Sequence, residues 1–162
     1  MSAIATLKIF HISHLKELEK IAPNKKSWFG KEKDKYIEYS KNNTSYMMVP
    51  DISGWVFGDI ICYLDQKEIM KFVKLENNNL AQRLSKLRGY GIVIFSDEEI
   101  KNILNKLNEK PKDRIERDLR EFCIELNGEY FQDENSLNIA LGNFMEIMKK
   151  VKEDFFLIVE IG

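Results

Sequence analysis

A chain of 162 residues, 44% hydrophobic and 31% charged, has the composition of one globular domain, long enough to bury roughly 70% of its unfolded surface. Its apolar runs reach only four or five residues, which excludes a bilayer-spanning helix, since that needs about 20. The net charge of -1 conceals 15 Lys/Arg against 10 Asp/Glu in residues 1–88 and 10 against 16 in residues 89–162, a polarity that two halves folding together are expected to intermix over the surface.

The opening Met1-Ser2-Ala3-Ile4-Ala5-Thr6-Leu7 lacks the basic n-region of a signal peptide, so the expected location is the cytoplasm. Residues 3–10, with Ile4, Leu7 and Ile9, read as the first strand. Ser13 then reads as the N-cap of a short helix carrying Leu15, Leu18, Ile21 and Ala22 and ended by Pro23. His11 and His14 lie one helical turn apart, but no third ligand is close in sequence, so no metal is expected.

Residues 24–43 form a Lys-rich stretch (Lys25, Lys26, Lys31, Lys33, Lys35, Lys41) interleaved with Trp28, Phe29, Tyr36 and Tyr39. Basic residues with aromatics between them grip single-stranded nucleic acid through phosphates and stacking. Glu32, Asp34 and Glu38 dilute that charge, and a surface loop with a short helix whose aromatics fold back on the core is the stronger expectation. Thr44 to Val49 reads as a second strand, stopped by Pro50. Asp51 or Ser53 is expected to cap a largely apolar helix bearing Trp55, Val56, Phe57, Ile60, Ile61 and Leu64, with Trp55 as a core anchor. Asp59, opposite Phe57 and Ile61, is expected in solvent. Ile69, Met70, Phe72 and Val73 read as further helix, Glu76-Asn77-Asn78-Asn79 as a loop. Leu80, Leu84 and Leu87 mark one face of a helix that Gly89 terminates.

The clearest local signal is Gly91-Ile92-Val93-Ile94-Phe95 followed by Ser96-Asp97-Glu98-Glu99. Four apolar residues in a row read as a central strand covered on both faces. Ser96 and Glu99 have capping-box spacing, and Ile100, Ile103, Leu104 and Leu107 make one apolar stripe. After Pro111, Ile115, Leu119, Phe122, Cys123 and Leu126 predict an amphipathic helix ended at Gly128. A last helix carries Leu137 to Val151, and 155–161 closes the chain as an apolar strand pairing with 90–95 or 3–10. Cys62 and Cys123, each within an apolar helical pattern, read as buried reduced thiols.

The fold expected is α+β: one domain over 1–162, a mixed sheet of about four strands, and five to six helices packed mainly on one face. No catalytic constellation is legible. Gly89 and Gly91 precede their strand, whereas phosphate-binding glycines follow it, and Asp97 to Glu99 would repel an anion there. No Gly-x-Ser-x-Gly, His-Glu-x-x-His or Cys-x-x-Cys occurs, so neither catalytic residues nor a cofactor are expected.

The strand-to-helix start, the apolar helix around Trp55, the segment Phe95-Ser96-Asp97-Glu98-Glu99-Ile100 and the closing Phe156-Leu157-Ile158-Val159 resemble the YfbM-like bacterial proteins, small α+β domains of unknown function. The Lys-rich stretch departs from that pattern. The resemblance places no catalytic residue on this chain. By analogy with other small bacterial domains it implies a non-catalytic protein-binding module, a toxin-neutralising immunity protein. Exposed aromatics beside charges are typical anchors, so the partner-binding candidates are Trp28, Phe29, Tyr36, Tyr130, Asp133 and Glu134. Nucleic-acid binding through 25–41 is the alternative, and an enzyme the third reading.

Overall fold

The computed structural model describes residues 3–22, 34–128 and 133–162, the Leu87 side chain excepted. Within them β1 (Ala5–His11), β2 (Tyr46–Met48), β3 (Gly91–Ser96) and β4 (Phe155–Ile161) form one sheet in the order β2–β1–β4–β3. Every pairing is antiparallel, so the α+β class holds but the sheet is not mixed. Long connections separate the strands, so helix packing rather than local sequence sets their direction. The closing strand takes both of its anticipated neighbours: Leu157 lies opposite Ile9 on one side and Phe95 on the other. β3 is an edge strand and not a central one. Its four apolar residues are nonetheless buried, because helices cover both of its faces.

Seven α-helices occur among the described residues: α1 (Leu15–Ile21), α2 (Lys35–Asn43), α3 (Trp55–Gln66), α4 (Asn78–Arg88), α5 (Asp97–Asn108), α6 (Lys112–Asn127) and α7 (Glu134–Lys150). They divide between the two faces of the sheet. The larger core joins Leu7, Ile9, Val93, Phe95, Leu157 and Val159 to α3, α5, α6 and α7. The smaller joins Phe10, Ile92, Ile94, Phe156 and Ile158 to Leu18 of α1, Tyr36 of α2 and Leu80, Ala81 and Leu84 of α4. Strand alternation explains the division, since successive side chains point to opposite faces.

Local chemistry sets several boundaries. Ser96 accepts the Glu99 amide while the Glu99 carboxylate accepts the Ser96 amide, the capping box expected for α5. Gly89 ends α4 at φ 73°, a left-handed conformation that costs other residues strain. Elsewhere the expected caps are replaced. The cap of the 3₁₀ turn Ile12–His14 is His11 and not Ser13: its imidazole accepts the Ser13 amide. Gly54 stands at the N-cap of α3 without a side-chain bond, in place of Asp51 or Ser53. Ile69 to Val73 is a turn followed by a 3₁₀ turn (Phe72–Lys74) and not a helix, with the Asp65 carboxylate holding the Phe72 amide at 2.6 Å. Asn78 and Asn79 belong to α4 rather than to a loop. Leu126, in the last turn of α6, is exposed.

Trp55 is the largest departure. It is 57% exposed, while Val56, Phe57, Ile60, Ile61, Tyr63 and Leu64 fill the core. Positions 55, 59, 62 and 66 share one stripe of α3 by helical spacing, and this is the side that the core leaves open. Cys62 on that stripe is exposed, so only Cys123 is the buried thiol anticipated; both are free. No described helix is long and apolar enough to cross a membrane.

Candidate interaction surface

The smaller helical layer stops short of one corner of the sheet. Tracing side chains on its face, Ile94 is followed by Ile158, Lys8 and Met47 across the strands, and Ile92 by Glu160 and Thr6. The helices bury Ile92, Ile94 and Ile158. At the other end Met47 is 56% exposed, as are Ile4 at 59% and Val49 at 55%. Ile4 and Val49 both line an open cleft of about 440 Å³ with Pro50, Asp51 and Ile52. Single exposed apolar residues are ordinary, but several gathered at one sheet edge mark a contact surface.

The backbone holds this corner rigidly. Ile4 bridges Ser53 and exchanges both amide bonds with Gly162, and the Gly54 amide donates to the Ala3 carbonyl at 2.8 Å. A Cβ on Gly54 would stand 2.7 Å from the Ala5 nitrogen and the Ile4 carbonyl carbon, so only glycine permits this approach. Trp55 follows directly, as the first residue of α3.

On the opposite face, the same edge carries a cleft of about 280 Å³ lined by Ile9, Ser45, Tyr46, Lys150, Lys152 and Phe155. The Lys150 ammonium lies 5.2 Å from the centre of the Tyr46 ring and 3.3 Å from a Glu146 oxygen. Lys152 is exposed and has no ion pair among the described residues.

A polar cluster lies deeper, beneath α2. The Tyr36 hydroxyl donates to Glu160, whose carboxylate also accepts from Lys8 at 2.7 Å. Arg88 lies 4.5 Å from the Tyr36 ring centre and donates to Asp34, the N-cap of α2, at 2.7 Å. Burial and the neighbouring Glu160 push the Tyr36 hydroxyl well above its ordinary pKa, so it stays a neutral donor. With every charge paired, the cluster fastens α2 to the sheet rather than presenting a reactive group.

The sequence-predicted sites are placed differently. Trp28, Phe29 and Tyr130 lie outside the described residues, as do Lys25 to Lys33 of the basic stretch. Tyr36 is fully buried and forms no part of the surface. Asp133 is the N-cap of α7; its bonds to the Ser136 amide and hydroxyl lower its pKa. Glu134 is exposed and pairs with Arg120 at 3.0 Å. The two histidines do not converge: His14 bonds the Tyr39 hydroxyl and His11 the Ser13 hydroxyl. No group of three His, Cys, Asp or Glu able to hold a metal occurs among the described residues. Asp59 is half-buried rather than exposed, hydrogen-bonded to Asn127 at 2.9 Å, with its pKa raised by burial.

Sequence reading missed Met47, Val49 and Trp55. Met47 and Val49 lie in a stretch recognisable as a strand, and only the tertiary packing shows what fails to cover it. Comparison with protein-family models, curated proteins and solved structures finds no match.

Proposed function

We propose that this protein is a non-catalytic protein-binding module that docks its partner on the β1–β2 corner, and that the partner is a bacterial toxin neutralised in the cytoplasm. The observation carrying this reading is the group of exposed apolar residues Ile4, Met47 and Val49 at a braced strand edge, with the exposed Trp55 one residue after the Gly54 that braces it. Tryptophan is enriched among residues that dominate binding energy, and a rigid backbone lowers the ordering cost of association. The resemblance to YfbM-like proteins supplies the bacterial context and the immunity role by analogy.

The test is affinity capture from lysate of the native host with wild-type protein, Trp55→Ala and Met47→Asp. One stoichiometric protein held by the wild type and lost by both variants supports the reading, particularly if that protein arrests growth when expressed alone. Equal retention by the variants removes the corner as the docking site. Recovery of RNA alone replaces the reading with nucleic-acid binding.

A further inference from the structure

We propose that the partner binds by laying an extended segment along the outer edge of β2, and that this segment alternates apolar with acidic residues. The inference rests on the docking reading above and specifies its chemistry.

The two edges of the sheet differ. At β3, the Ser85 hydroxyl of α4 accepts the Ile92 amide at 2.9 Å, so an edge donor is already occupied from within the chain. At β2, the last strand of the sheet, no strand lies alongside the outer edge among the described residues. β2 is short and Pro50 follows it, but Tyr46 to Val49 carry neither a proline nor a charged residue on the edge itself. An added strand can therefore find backbone donors and acceptors along the outer edge of β2.

The side chains then set the alternation. A strand beside β2 sends alternate residues to opposite faces. On one face they meet Met47 and Val49, whose exposed apolar groups favour apolar cross-strand neighbours. On the other they meet the cleft containing Tyr46, Lys150 and Lys152. Glu146 engages Lys150, and Lys152, which has no ion pair among the described residues, is the cation that an incoming carboxylate complements. A second copy of this chain is a poorer occupant. Two-fold pairing along a three-residue strand would set two such lysine clusters on one face within about 10 Å.

A phage-displayed library of random linear heptapeptides, panned against the full chain, tests the proposal. The enriched peptides are expected to alternate apolar and acidic residues. A synthetic consensus peptide should bind at least about tenfold more weakly to Met47→Asp. It should also slow hydrogen exchange at Ser45 to Val49. A Lys150→Glu/Lys152→Glu variant, with unchanged thermal stability, should select basic in place of acidic residues; Val73→Asp, at an exposed residue elsewhere, should change nothing. Failure to enrich any alternating consensus overturns the proposal, as does binding indifferent to Met47→Asp or to the lysine reversal. A dimer of the full chain dissociated by Met47→Asp also overturns it, because a second copy then occupies the edge. Lysate capture lost in Trp55→Ala and Met47→Asp alongside a failed peptide selection would leave the docking corner standing and remove only strand addition.

Discussion

Tyr36 and Tyr63 show how a buried phenol is accommodated in two ways. Tyr36 donates to a carboxylate, whereas the Tyr63 hydroxyl has no hydrogen-bond partner. Removing the Tyr36 hydroxyl withdraws a bond to a charged group, expected to cost about 1.5–3 kcal/mol, while Tyr63→Phe should be near neutral at pH 7. Burial also raises both pKa values, and those of Tyr63 and Tyr90 reach about 12. A phenol whose folded pKa exceeds its unfolded value of about 10 holds its proton more tightly in the native state. That contribution to stability is complete below pH 10 and is lost as pH rises towards 12. Urea unfolding from pH 8 to 12 should therefore show a steep alkaline decline that Tyr63→Phe makes shallower; an unchanged slope would contradict the assignment.

At the scale of elements, two sites at the start of helices separate stability from binding. Ser96→Ala removes half of a capping box and should cost about 0.5–2 kcal/mol. It lies on the far edge strand, so partner capture should be unaffected. Gly54→Ala drives a methyl group against the backbone of β1 and should cost about 1–3 kcal/mol through overpacking. It also shifts the start of α3 relative to Ile4, so partner capture should fall with it. Urea unfolding and capture measured on both variants check the contrast; equal binding losses would show that stability alone governs capture. The capping box was legible because its partners are three residues apart, as was the apolar stripe of α5. Gly54 was not, because the atoms that exclude a side chain there belong to a strand some 50 residues earlier. Trp55 was partly legible: it shares its helical stripe with Asp59, Cys62 and Gln66, a polar neighbourhood that hydrophobicity alone obscures.

At the scale of the whole molecule, the described helices carry the charge asymmetry as a difference between the two layers. The layer of α1, α2 and α4 carries seven Lys/Arg against three Asp/Glu, and that of α3, α5, α6 and α7 eight against twelve. The segregation follows the chain, because the first layer comes entirely from residues before 89 and most of the second from residues after it. The open edge of β2 lies where the two layers part, with Lys150 and Lys152 beside it. Association with an acidic segment should accordingly slow as salt rises from 0.01 to 0.15 M, where the screening length falls from about 30 to 8 Å. Dissociation should change less, since the contacts with Met47 and Val49 are apolar. Stopped-flow association at the two salt concentrations would show this; rates independent of salt would count against the acidic chemistry.

The sequence by itself determined the four strands, the principal amphipathic helices, the α5 cap and the α+β class, all of which rest on periodicity and contacts a few residues apart. The tertiary structure alone decided that β3 lies at an edge, that helices cover both faces, and that Met47, Val49 and Trp55 remain exposed. Burial is a relation between distant segments. An apolar residue has the same transfer preference wherever it stands, and only the arrangement of its neighbours settles whether that preference is met inside the chain or left for a partner.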